Sequence, residues 1–138
     1  MKNITLLLSI VLLAGSANAA PGIVSGRYVG TAVLTRDDVG CSTQGTCRAT
    51  IPVSFSLNVR GTVALFTNTK GNRGTLYRQQ NGGYTGLLDS LPVRECQLNR
   101  YIGVGISRGK YYAQELDQFV CPYGTYSVIY TAYPRKVR

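Results

Sequence analysis

Between residues 50 and 60 the chain alternates: Ile51, Val53, Phe55, Leu57 and Val59 are apolar, and Ser54, Ser56 and Asn58 between them are polar. Successive side chains of a β-strand point to opposite faces, so this period of two turns one face to a core and the other to water. Pro52 has no N–H to give to a ladder, which places it near a strand start, at an edge or at a bulge. Similar alternation between glycine-marked turns predicts further strands over residues 26–36, 62–68, 74–79, 84–88, 93–107, 110–120 and 125–133, about eight in all. The 3.6-residue repeat of an amphipathic helix is missing after residue 20. Short turns at Arg60-Gly61, Asn81-Gly82-Gly83 and Arg108-Gly109 join consecutive strands, and residues 70–74 form a longer glycine-bracketed loop. Asn-Gly is the strongest hairpin signal of the set, because both residues tolerate the positive φ of a type I′ turn. The prediction is an all-β single antiparallel meander. A closed barrel is favoured over a two-sheet sandwich, since closure removes exposed edges.

The last long hairpin carries a numerical check. If Arg108 and Gly109 form a two-residue turn, residues whose numbers sum to 217 face each other, and Cys96 and Cys121 do so. Their pair is then of the non-hydrogen-bonded kind, whose closer Cα atoms suit a disulfide. The same register sets Arg100 opposite Asp117 and puts Ile102, Val104, Ile106, Tyr111, Ala113 and Phe119 on one face. A type I turn with a glycine bulge at Gly109 would shift the register by one and separate the thiols. By elimination Cys41 joins Cys47, closing the loop of residues 42–46.

The first nineteen residues stand apart from this pattern. Lys2 precedes an apolar run over residues 4–14, and Ala17-Asn18-Ala19 supplies a small-x-small cleavage pattern, together reading as a secretory signal peptide. The run is too short to span a bilayer, and Ser16 stands where a lipid-bearing cysteine would be required. Residues 20–138 are then one domain with a basic tail over 134–138. The product is exported, periplasmic or secreted, without stable membrane insertion, and its four cysteines form two disulfides there. Spacings of five, forty-eight and twenty-four residues between them do not match a zinc knuckle, so neither metal nor cofactor is expected.

Charge and composition limit the chemistry. Fifteen basic residues stand against six acidic ones, a formal net charge of +9 that falls to +8 once Lys2 is cleaved, and eleven of the basic residues are arginine. This balance predicts an anionic ligand or an acidic protein surface as partner, with nucleic acid a lesser alternative. Clusters at Lys70, Arg73 and Arg78 and at Arg108 and Lys110 are the candidate binding residues. The glycines of 70–74 suggest an anion nest beside the first cluster. There is no histidine, which removes Ser-His-Asp and Cys-His catalysis. The remaining acid–base candidates are Glu115 and Asp117, two residues apart on one strand face. A structural role, with Asp117 paired to Arg100, outweighs catalysis for them. Ten tyrosines and no tryptophan are concentrated toward the C-terminus and read mainly as strand packing. The favoured function is a non-enzymatic binding domain, with inhibition or neutralisation of another exported protein as one use. A small secreted hydrolase and an outer-membrane barrel are the alternatives.

Overall fold

The computed structural model describes residues 22–138, so the leader read over residues 1–19 lies outside it. Nine strands and no helix occur among the described residues: β1 (Gly26–Asp37), β2 (Thr50–Arg60), β3 (Val63–Asn68), β4 (Arg73–Arg78), β5 (Tyr84–Val93), β6 (Cys96–Ser107), β7 (Lys110–Cys121), β8 (Gly124–Ala132) and β9 (Arg135–Val137). Consecutive strands from β2 to β8 pair antiparallel as a meander, and β1 closes it by pairing with β2 on one side and β8 on the other. The result is a closed eight-stranded barrel with one extra strand. The predicted basic tail is part of this closure, because Arg135 to Val137 pair with Val29 to Arg27 beyond the interruption at Pro134.

The β6–β7 hairpin has the register its sequence implies, from Ser107↔Lys110 through Arg100↔Asp117 to Gln97↔Val120. Arg108 (φ 51°) and Gly109 (φ 76°) both adopt positive φ, as a type I′ turn requires. Cys96 and Cys121 are joined with Cα atoms 4.2 Å apart, and Cys41 is joined to Cys47. The Asn81-Gly82 turn is built differently. Gly82 N–H donates to Gln79 O and Gln79 N–H to Gly83 O, so three residues form the loop and only Gly82 has positive φ. A type I turn followed by a left-handed glycine replaces the two-residue form.

Two strand limits also differ from expectation. Strand β5 continues to Val93 and β6 starts only at Cys96, with Arg94 (φ 55°) and Glu95 forming the turn. A bulge between Leu87 and Asp89 breaks the alternation by which the strand was recognised. Between β4 and β5 the backbones come so close that a Cβ on Gly86 would collide with Thr75 O. Only glycine permits that approach.

The inward face of the barrel holds the main core: Ile23, Tyr28, Phe55, Leu57, Ala64, Phe66, Leu76, Tyr84, Ile102 and Val104. Tyr28 stacks on Phe55 with centroids 5.3 Å apart and meets Tyr111 edge-on at 4.9 Å, while Phe55 stacks on Phe66 at 5.3 Å. Burial, with Tyr111 beside it, pushes the Tyr28 hydroxyl up to about 12, so it stays neutral and donates to Val24 O. Tyr84 Oη donates to Gly61 O at 2.7 Å and Ser25 Oγ accepts from Val59 N. These bonds tie the segment before β1 and the β2–β3 turn over one end of the barrel. A separate apolar cluster of Tyr101, Leu116 and Ile129 lies on the opposite face of β6–β8.

Candidate ligand site at the disulfide end

The two ends of the barrel collect different loops. The β2–β3, β4–β5 and β6–β7 turns lie at the end filled by the aromatic core. The β1–β2 loop with Cys41–Cys47, the β3–β4 turn, the β5–β6 turn and the Cys96–Cys121 bridge lie at the other. Here Ala32, Val128, Tyr130 and Ala132 form a second buried apolar cluster, with Ile51 and Phe119 packed against it, and the space beside them is left open. A cavity of about 240 Å³ extends inward from the β3–β4 turn. Its apolar wall includes Val53, Phe55, Phe66 and Ile102, and its polar wall includes Asn68, Lys70, Arg100, Glu115 and Tyr130.

Strand parity explains the polar wall. Residues Tyr111 and Ala113 of β7 pack against the core, so Glu115 and Asp117, two and four residues further along, face inward as well. Arg100 lies opposite Asp117 on β6, and the β5 bulge brings Asp89 opposite Arg100 from the other side. Arg100 Nε is 3.5 Å from Asp117 Oδ1, and Arg100 Nη1 is 3.6 Å from Asp89 Oδ2. Both separations allow ion pairing but are too long for strong hydrogen bonds. Arg100 Nε, Asp117 Oδ1 and Asp89 Oδ1 are buried without a hydrogen-bond partner. The cluster thus has spare hydrogen-bonding capacity beside the cavity.

Burial and the Glu115 carboxylate, which shares a hydrogen bond with it, hold the Asp117 carboxyl well above the ordinary carboxylate range, with Arg100 opposing only in part. The pair therefore keeps a proton where exposed carboxyls have lost theirs. Tyr130 is also shifted upward, by burial first and by Asp117 and Glu115 next, and its hydroxyl donates to Arg48 O at 2.8 Å. That bond ties the cavity wall to the strand end behind Cys47. Asp117 thus acts on Glu115 as a neighbouring carboxyl while pairing with Arg100, the structural arrangement expected from the hairpin register. The geometry matches a proton-sharing wall better than a hydrolytic centre.

The five cations picked out from the sequence do not converge. Lys70 lines the cavity mouth and Arg73 begins β4 at the same end, but Arg78, Arg108 and Lys110 belong to the opposite end. All five are exposed. Within the 70–74 loop, Asn68 Oδ1 accepts the amides of Lys70 and Asn72, and Asn68 O accepts that of Gly71. Those amides are committed to the turn, which leaves the side chains of Lys70 and Arg73 as the groups there that can meet an anion.

Asp89 and Tyr130 were not among the site candidates, Tyr130 being counted only with the strand tyrosines. A signal for Asp89 was the Leu87-Leu88 doublet, which breaks the alternation just before it. Asp37 and Asp38 serve the loop instead. Asp37 accepts from Cys41 N, Ser42 N and Ser42 Oγ, and Asp38 accepts from Arg36 and from Ser127 N. Hydrogen bonds from Ser42 hold Asp37 below the usual carboxylate range, and the bond from Arg36 does the same for Asp38. Asp37 also lies near the sulfurs of Cys41 and Cys47, but both sulfurs are spent in the disulfide, which removes them as thiolate metal ligands. No family model matches the chain, and no curated protein or solved structure matches it significantly.

Proposed function

We propose that this chain is an exported binding protein that holds a small organic ligand inside the barrel, at the disulfide end. The observation that carries this reading is the cavity itself: apolar walls from Phe55, Phe66 and Ile102 with a few converging polar groups are the usual makeup of small-molecule sites. At about 240 Å³ it suits a ligand at the small end of the range. Both disulfides lie toward the same end of the barrel as the cavity, where bracing the loops lowers the ordering cost of binding. They also point to an oxidising, exported environment. The inward aim of Phe55 and Leu57 supports a water-facing barrel over a membrane one, which would turn its apolar stripe outward to lipid.

A second reading is favoured by the surface. Among the described cations only Arg36 and Arg100 are in ion pairs, so a chain of net charge +9 presents uncompensated arginines. An acidic protein partner meets that field, with neutralisation of another exported protein as its use, and such binding weakens as salt is raised. Native mass spectrometry of the protein taken from its own exported compartment separates the two. A retained small molecule supports the cavity reading, and a co-purifying acidic protein lost at high salt supports the second. A bare monomer that also fails to bind any member of a small-ligand panel in solution counts against the cavity reading.

A further inference from the structure

Three of the six acidic residues of this basic chain converge inside the barrel, and their charges are not balanced there. Arg100 lies between Asp89 and Asp117 and is within ion-pairing distance of both. Glu115 lines the cavity and has no cationic partner within 4 Å among the described residues. Resting on the binding function proposed above, we infer that the cavity selects a small ammonium ligand with an apolar body, its nitrogen on Glu115 and its body against Phe55, Phe66 and Ile102.

The charges that face Glu115 support this choice. Asp117 adjoins it on β7, Arg100 faces it from β6, Asp89 stands beyond Arg100 on β5, and Tyr130 is opposite on β8. Asp37, at the end of β1, acts on Tyr130 from the loop side. Lys70 contributes from the β3–β4 turn, but it is exposed and water screens it. With one proton on the Glu115–Asp117 pair, Arg100 offsets Asp89 and one negative charge remains on the pair. With both carboxyls of the pair ionised, the excess is two. Beside Glu115 either state favours a cation over an anion, and the exposed Lys70 at the mouth opposes this only weakly. A divalent metal is a poor alternative, because the Arg100 guanidinium occupies the centre of the carboxylate group and adds a like charge.

The same wall makes binding release a proton. An ammonium on Glu115 stabilises the ionised form of its neighbour, so Asp117 gives up its proton to solvent as the ligand enters. Ligand affinity therefore rises with pH while Asp117 titrates, and the alkylammonium itself stays charged to about pH 10.

The test uses three probes of one chain length, n-hexylammonium, hexanoate and n-hexanol, titrated into the disulfide-intact protein. Amide chemical shifts of cavity residues report the site, and calorimetry in buffers of different ionisation enthalpy reports protons. Hexylammonium is expected to bind about tenfold or more tightly than either other probe, a gap of about 1.4 kcal/mol. It should also release a fraction of a proton near neutral pH and tighten as pH rises. Glu115→Gln should abolish the preference for the ammonium while leaving hexanol in the cavity. If that variant does not fold, the pH dependence and proton release of the unmodified protein still decide. Hexanoate binding more tightly than hexylammonium at the cavity residues overturns the ammonium assignment and leaves the binding function standing. Equal affinities with no proton release also overturn it. If no probe shifts a cavity residue, both the assignment and the cavity reading fail.

Discussion

The two ends of the barrel are made of the same strands yet solve different problems. At the β6–β7 turn end, inward positions carry Tyr28, Leu57, Ala64, Leu76, Tyr84 and Val104, which fill the interior. At the disulfide end the same faces carry Arg100, Glu115 and Asp117 beside a smaller apolar cluster, and a cavity lined by Arg100 and Glu115 remains. One end derives its rigidity from packing. The other adds two covalent bridges and a loosely bonded charge cluster to a smaller apolar cluster around Ala32, Val128 and Ala132. In a domain of this size disulfides supplement a core that leaves a cavity open. The larger packed core and the cavity therefore lie toward opposite ends.

The sharpest way to break that division is to truncate one apolar side chain at each end. Leu76 is fully buried at the packed end, and Leu76→Ala should cost about 2–5 kcal/mol through lost transfer energy and a residual cavity. Ile51, half-exposed on the cavity wall, should cost about 1 kcal/mol when truncated to alanine, and should weaken ligand binding more than it weakens the fold. Urea midpoints for the two variants decide this. Equal losses would mean that the open end is as tightly packed as the closed one.

The bridges come next. Replacing Cys96 and Cys121 together by alanine should cost about 2–4 kcal/mol, because the bridge spans 25 positions. Replacing Cys41 and Cys47, only 6 positions apart, should cost about 1 kcal/mol less on the same loop-closure argument. Binding should follow the opposite order. The short bridge holds the loop whose Arg48 carbonyl receives the Tyr130 hydroxyl on the cavity wall. Thermal unfolding and probe titration of both double variants test whether the orders cross.

Much of the barrel was legible in the chain because the informative signals were local and mutually checking. The Arg108-Gly109 turn fixed a parity, and that parity alone opposed Cys96 to Cys121 and Arg100 to Asp117. The charged wall was harder to read. Its parity was available, since Glu115 and Asp117 alternate with the same face as Tyr111 and Ala113, but two carboxylates on an otherwise apolar stripe look like surface residues. Asp89 depends on a bulge and β9 on a partner strand more than a hundred residues away. Neither is encoded in a local period: the bulge in the β5–β6 hairpin places Asp89, and closure through β1 places β9.

The charge cluster offers a smaller effect. Arg100→Met removes the cation between Asp89 and Asp117, and leaving buried carboxylates unpaired is costly. The side chains of Arg100, Asp117 and Asp89 retain 30%, 18% and 39% exposure, so solvent screening reduces the loss to about 1–2 kcal/mol at neutral pH. The loss should shrink in acid, where the carboxyls take up protons. A loss independent of pH would show that Arg100 acts through its packing alone.

The smallest effect is also the most diagnostic, because the cavity wall and the surface loop place carboxyls under opposite influences. Asp117 titrates above the ordinary carboxylate value, so the folded chain holds a proton that the unfolded chain has released. Its contribution to stability is present below about pH 4 and is lost as pH climbs through the raised folded value. Asp37 and Asp38 titrate low, so their contribution is present above about pH 4 and is lost as pH falls through their lowered values. Asp117→Asn should keep the shape of the neutral carboxyl, leave stability near pH 4 little changed and flatten the decline above it. Asp37→Asn should flatten only the acid side. Urea midpoints across the pH range, compared between the two variants and the unmodified chain, separate these limbs. A decline of unchanged slope in Asp117→Asn would mean that the cavity wall holds no proton of its own, and the open end would then differ from the closed one in packing but not in charge.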